Sequence, residues 1–303
     1  MPSLIHVLKN ANIKRNFTVE LGQEDVRLIQ QKLLRILDDI MSVCDELGVD
    51  CLLSGGTALG AVRHKGFIPW DDDVDLFIKR SDLDRFVTRF NERFPSEYWV
   101  HVPGVTPGYD CMMARVISKE IRARVLLDSE KYECGLMIDL FIVENTFDNP
   151  IFRAVHGLGC MFFRYVLSCI RFCRVSRELD KLVEDTDGLK KFMSARVFWG
   201  KLFSVIPLSA WATMASRWVS MCGDESSKYV AITSGSKQFF KEMYVRKDFC
   251  TPRECIFEGR TLKLPSDYDT YLRILYGDYM AVPPVDKREK HMMMELDREK
   301  LYG

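Results

Sequence analysis

Between residues 52 and 76 the chain reads Leu-Leu-Ser-Gly-Gly-Thr-Ala-Leu-Gly, then Ala-Val-Arg-His-Lys-Gly-Phe-Ile-Pro, then Trp-Asp-Asp-Asp-Val-Asp-Leu. Four carboxylates, Asp71, Asp72, Asp73 and Asp75, fall within five positions. Like charges that close stay ionised together only when cations or basic groups offset them. The acids lead into an apolar alternation, with Val74, Leu76 and Ile78 on one side and Asp71, Asp73, Asp75 and Phe77 on the other. That is the period of a half-buried strand, so three carboxylates are expected on one strand face. Upstream, Cys51 to Leu53 reads as a short buried strand, Gly55-Gly56 as a turn and Thr57 to His64 as a short helix. Gly66 and Pro69 break the chain before the acids. The segment asks for a divalent metal beside a phosphorylated ligand.

The surrounding pattern is that of an α/β or α+β domain built on one sheet. From Glu24 to Leu47, apolar residues beginning at Val26 fall at helical spacing, with Gly48 as the stop. Ser81, with Asp84 three residues on, is the expected start of a helix that Pro95 ends. Strand-like segments follow at Tyr98 to Val102, Met112 to Ser118, Ile121 to Leu127 and Gly135 to Val143. Composition shifts after Asn149-Pro150, and residues 151–222 are rich in Phe, Leu, Arg and Trp at helical spacing, with a turn expected at Asp185 to Gly188. The expected division is an N-terminal extension (1–23), a catalytic core (24–148), a helical subdomain (149–227) and a C-terminal segment completing the site (228–303). Within the last, the aromatic run from Asp267 to Tyr276 reads from spacing as packing.

Composition narrows the function. The 303 residues carry 43 Lys plus Arg and 43 Asp plus Glu. This balance gives no support to a general nucleic-acid binder. Ten cysteines are scattered without a CxxC pair and read as reduced thiols, with Cys250 and Cys255 structural rather than half of a zinc site. Residues 1–16 hold no apolar run of signal-peptide length, so a cytoplasmic protein is the expectation. The most apolar window, Ile151 to Phe172, is interrupted by Arg153, His156, Arg164 and Arg171. A core helix fits it, as does a peripheral helix at the inner face of the cell membrane; a spanning helix does not.

The chemistry concentrates in a few residues. Gly55 and Gly56 let backbone N–H groups approach a phosphate at a helix N-terminus. Arg63 offers a planar fork for phosphate oxygens, Lys65 a second cation, and Trp70 a wall or a stacking face. With Ser54 and Thr57 these form the candidate donor-binding set. Asp71, Asp73 and Asp75 are candidate ligands for Mg2+ or Mn2+, hard cations that prefer oxygen. Asp139 sits alone in Leu-Met-Ile-Asp-Leu-Phe-Ile-Val, where burial without a partner costs several kcal/mol. A shared metal would remove that cost, and so would a core arginine. Asp72 and Asp139 are both candidates to accept a proton.

The run LSGGTALGAVRHKGFIPWDDDVDLFI closely resembles the signature of the LicD family, whose eukaryotic relatives include fukutin and fukutin-related protein. MIDLF at 137–141 and YDTYLRILYGDYMAVPP at 268–284 resemble its third-acid strand and its C-terminal motif. The resemblance implies a nucleotidyltransferase-like α+β fold, a mixed sheet with flanking helices plus a helical C-terminal portion. It also implies transfer of a phosphorylated alcohol from a CDP-alcohol donor, CDP-choline foremost, to a hydroxyl of a glycan or lipid-linked oligosaccharide acceptor such as a teichoic acid or lipopolysaccharide precursor. By the same resemblance Asp73 and Asp75 are metal ligands, Asp139 the third acid, and Gly55, Gly56 and Arg63 donor-phosphate contacts. Ile142 stands where many members have proline, and the membrane anchor and zinc-binding cysteines of the animal relatives are not seen. Two rivals remain open. One is transfer of the nucleoside monophosphate with release of pyrophosphate; the other is a non-catalytic glycan-assembly partner, which predicts missing carboxylates where none is missing.

Overall fold

The computed structural model describes residues 18–126, 133–182, 187–288 and 292–303. Most of the expected N-terminal extension lies outside the described residues, as do Leu127 and the first half of the turn expected at 185–188. Helix α1 (Gln23–Leu47) turns Val26, Ile29, Leu33, Leu37, Ile40 and Val43 inward and ends at Gly48, whose φ of 64° is left-handed. Then come β1 (Leu52–Leu53), α2 (Gly55–Arg63), β2 (Val74–Lys79), α3 (Arg80–Arg93), β3 (Tyr98–His101), β4 (Ala114–Ser118), β5 (Ala123–Val125) and β6 (Met137–Thr146). The helical portion is α4 (Pro150–Leu182), α5 (Asp187–Phe203) and α6 (Leu208–Val219). The chain closes with β7 (Tyr229–Ile232), β8 (Met243–Val245), the short α7 (Arg246–Phe249), β9 (Pro252–Phe257), β10 (Arg260–Pro265), α8 (Tyr268–Tyr276), β11 (Met293–Leu296) and α9 (Arg298–Tyr302).

Among the described residues one seven-stranded sheet runs β1-β2-β6-β4-β3, with β7 on β6 and β8 on β7. It is mixed: β2 and β6 are parallel, and the other pairs are antiparallel. The first half of β6 pairs with β4 and the second with β7, where Thr146 lies opposite Tyr229. Leu76, Ile78, Ile138, Leu140 and Ile142 share one face and are fully or almost fully buried beneath α1 and α3. The opposite face carries Asp75, Phe77 and Lys79, and Phe77 meets Phe249 and Tyr271 edge to face at 5.1 and 5.3 Å. The α+β class and the mixed sheet with flanking helices are thus as expected.

Two local expectations are corrected. The strand begins at Val74, so only Asp75 stands on it, and Asp71 to Asp73 belong to the incoming loop. The reason is pairing: the β2 ladder starts at Val74 opposite Ile138, and the loop residues have no strand partner. Helix α3 begins at Arg80 with Lys79 as its N-cap and no side-chain cap, so Ser81 and Asp84 form no capping box.

Helix α4 buries one face and exposes another. Cys160, Val166, Leu167, Cys169 and Ile170 are buried, whereas Ile151, Phe152, Val155, Leu158 and Phe162 are exposed. No single helix among the described residues is long and apolar enough to cross a membrane.

One buried acid beneath this helix makes stability depend on pH. Glu242 is 2% exposed and accepts a hydrogen bond from the Lys237 backbone N–H. Burial pushes its carboxyl from 4.5 up to about 7, against that bond and the charges of Arg164 and Lys237. The folded state therefore holds a proton that the unfolded chain has already released. This stabilisation is full below the unfolded value and is lost as pH rises through the folded one. Relative to wild type, Glu242→Gln is expected to gain on the order of 2–3 kcal/mol between pH 5 and pH 8 in urea denaturation. Parallel pH dependence in the two proteins would show that Glu242 is not the titrating group.

Candidate active site

The glycine turn is held from two sides. Ser54 N–H donates to the Asp75 carbonyl at 2.9 Å, and Asp75 N–H donates to Thr57 Oγ1 at 2.9 Å. From α8, the hydroxyl oxygen of the buried Tyr271 accepts the Gly55 N–H at 2.7 Å and lies 3.2 Å from Ser54 Oγ. Gly55 has a φ of 51°, and a Cβ there would stand 2.4 Å from Asp75 Oδ2. A Cβ on Gly56 would stand 2.6 Å from Asp71 Oδ2. The two glycines are thus the condition for packing two carboxylates against the N-terminus of α2, whose positive end favours anions. Asp71 is fixed by its own backbone: Gln30 Nε2 donates to its carbonyl at 2.8 Å, and its N–H reaches the Ile68 carbonyl at 2.9 Å.

Asp75 and Asp139 are register partners on β2 and β6. Neighbouring strands lie about 4.8 Å apart, and register partners point to the same face, so acids 64 positions apart in sequence become neighbours. Asp72, Asp73, Asp75 and Asp139 line one cavity of about 90 Å3, with an apolar floor that includes Leu136, Met137 and Met293. Arg115 of β4 also lines it. Its Nε and Nη2 donate to the two Asp139 carboxylate oxygens at 2.6 and 3.2 Å. The alternative of a core arginine beside Asp139 is therefore realised in the same place as the convergence of the acids.

Hard oxygen donors on one face suit magnesium or manganese, which use one or two protein carboxylates and leave other positions for water and phosphate. Asp73 and Asp75 could hold such an ion, with Asp139 contributing through lone pairs that Arg115 leaves. Among the described residues no three His, Cys, Asp or Glu side chains are already drawn into a coordination set. Asp139 is turned to Arg115, while Asp75 and Asp71 lie over the glycines. Tyr276, at the end of α8, faces the same charges. Its phenol is held well above its ordinary value, first by burial and then by Tyr271 and the carboxylates of Asp75, Asp71 and Asp73. The residue is 42% exposed as a whole, at the rim of the site. It offers the acids a protonated hydroxyl at neutral pH.

The remaining candidates of the donor-binding set lie beside this cavity rather than in its wall. Arg63 Nη1 donates to the carbonyls of Tyr279 and Ala281 at 2.8 and 3.2 Å, tying α2 to the C-terminal segment. Lys65 is exposed with a φ of 62°, and its carbonyl accepts the Glu258 N–H at 3.0 Å. Arg288 lies 4.0 Å over the Trp70 ring. Burial, and then Arg63, hold the His64 imidazole below its ordinary value.

Arg115, Tyr271 and Tyr276 are the residues that sequence reasoning passed over. Arg115 had a signal: a lone cation in one apolar strand matches a lone acid in another. The two tyrosines lie in the 268–284 run that resembles a family motif, but helical spacing records a buried ring and not where its hydroxyl points.

Comparison with known proteins bears on the same segment. A family model described as LicD/FKTN/FKRP, nucleotidyltransferase domain, matches residues 48–106, which hold the glycine turn and the clustered acids. Over 266 residues the chain is 26% identical to the lipopolysaccharide cholinephosphotransferase LicD of Haemophilus influenzae, covering 86% of this chain and 94% of that protein. Over 44 residues it is 48% identical to the ribitol 5-phosphate transferase FKRP of Mus musculus and of Homo sapiens, which is 14% of this chain and 9% of those proteins. The motif, the fold and a relative matched over most of its length agree: residues 48–106 match the LicD/FKTN/FKRP nucleotidyltransferase domain, and the chain as a whole is similar to LicD.

Proposed function

We propose that the protein is a glycan phosphotransferase. It moves a phosphorylated alcohol, phosphocholine foremost, from a CDP-alcohol donor to a hydroxyl of a cell-surface glycan precursor. The single observation that carries this reading is the meeting of Asp75 and Asp139 on one sheet face beside a glycine turn. The relatives add the transferred group, since both are named for moving a phosphorylated alcohol, choline phosphate in one and ribitol 5-phosphate in the other.

In this reading Asp73, Asp75 and Asp139 hold Mg2+ or Mn2+, with Asp71 beside them. The ion, when bound, supplies neutralisation of the donor diphosphate. The acceptor oxygen attacks the phosphorus bearing the alcohol, a new P–O bond forms, and the bond to the CMP phosphate breaks. CMP leaves with the electron pair. Asp72 or Asp139 takes the acceptor proton, both being in the cavity wall. Arg115 holds the Asp139 carboxylate in one orientation, and Tyr271 holds the turn against which Asp75 rests.

The test is ligand preference followed by product analysis. CDP-choline, CDP-glycerol and CDP-ribitol, each with magnesium, are expected to raise the melting midpoint by several degrees and more than CTP does, and turnover is expected to release CMP. Release of pyrophosphate in place of CMP would assign nucleotidyl transfer instead.

A further inference from the structure

The helical portion carries an apolar surface that the reaction does not use. On α4, Ile151, Val155, Leu158 and Phe162 recur at helical spacing and are 49–70% exposed, with Phe152 beside them at 62%. On and just after α5, Phe198, Trp199, Leu202 and Val205 are 41–81% exposed. Rings join the two groups. Phe162 meets Trp211 at 6.3 Å, Trp211 meets Phe203 at 5.8 Å, and Phe203 stacks on Trp199 at 5.8 Å. An apolar patch of this extent marks an interaction surface.

Charge selects the partner. The whole chain is balanced, yet residues 150–222 hold eleven Lys or Arg against five Asp or Glu, and those five acids all fall between 178 and 187. Of these, Arg171 and Arg174 are offset by Asp110, whereas Lys201 and Arg217 are exposed. An apolar face within a segment of net positive charge complements an anionic lipid surface, to which each juxtamembrane cation adds attraction. The segments Ser194–Phe203 and Leu208–Val219 reach membrane-level apolarity only together, and they meet at 93°. That bend suits helices lying in an interface.

We propose that the exposed face of α4 and α5 docks the protein on the surface of an anionic lipid bilayer. The docking does not rest on the proposed reaction. The full chain is sedimented with phosphatidylcholine vesicles containing either no anionic lipid or roughly one-third phosphatidylglycerol. Wild type is expected to sediment with the anionic vesicles, less with the neutral ones, and less as salt is raised. Leu158→Glu/Leu202→Glu is expected to partition about tenfold more weakly or worse, with an unchanged melting midpoint. Asp75→Asn is expected to bind as wild type does, which separates docking from chemistry. Should the double variant fail to fold, Lys201→Glu/Arg217→Glu takes its place and is expected to lose the preference for anionic vesicles. Failure of wild type to sediment, or a variant that binds as wild type does, overturns the proposal. A concentration-dependent dimer dissolved by the double variant, without vesicle binding, assigns the face to a second copy of the chain and overturns it as well.

Discussion

Asp75→Asn is expected to lower turnover by about 10³-fold or more while leaving the fold intact, and to raise the melting midpoint slightly. The substitution keeps the shape of the side chain and touches neither backbone bond at that position, the Asp75 N–H to Thr57 or the Ser54 N–H to the Asp75 carbonyl. What it removes is one negative charge from the most crowded point of the molecule. Repulsion among Asp71, Asp72, Asp73 and Asp75 falls, which favours the folded state. A cation shared with Asp139 loses a ligand, which disables the site. Activity assays paired with thermal denaturation read the two effects separately, and Asp73→Asn should behave in the same direction. A variant with wild-type turnover would remove Asp75 from the catalytic account.

Gly55→Ala is expected to cost about 2–4 kcal/mol of stability and most of the activity. Alanine at a φ of 51° pays the left-handed penalty, and its Cβ would stand 2.4 Å from Asp75 Oδ2. Neither neighbour can give way easily. The turn is held by Tyr271, and Asp75 sits between β1 and β6 in the sheet. Gly48 supplies the control, since its φ is 64° but nothing lies within 4 Å of a Cβ there. Gly48→Ala should cost only about 1 kcal/mol, the backbone share alone. Equal losses in the two variants, measured by urea denaturation, would show that the contact with Asp75 has no energetic weight.

How far the sequence could be read depended on the range of the interaction. Helix α1 was expected from Glu24 to Leu47 and runs from Gln23 to Leu47, because its periodicity and its glycine stop are local properties. The strand after the acids was also legible. Its first residue was not, since a strand begins where a partner begins, and that partner lies on β6. Asp139 stands out as a lone charge among apolar neighbours, and its partner is the core arginine Arg115, on the same sheet face as Asp75. The aromatic run of α8 was read as packing, which is true of the Tyr271 ring. Its hydroxyl nevertheless reaches Gly55 across 216 positions of sequence, and no spacing rule spans that distance. Arg63 illustrates the same limit, with its Nη1 bonded to the carbonyls of Tyr279 and Ala281.

The pairing of Thr146 with Tyr229 has a further consequence. The chain leaves the sheet and returns to it across a single rung, and the helices between are tied to the rest by Arg171 and Arg174 on Asp110 and by Arg164 on the Gly235 carbonyl. Because both ends of the insertion meet at that rung, a change of length in its outer turns leaves in place the register that aligns Asp75 with Asp139. The outer face of the helices can in this way be altered without misaligning the reaction chamber.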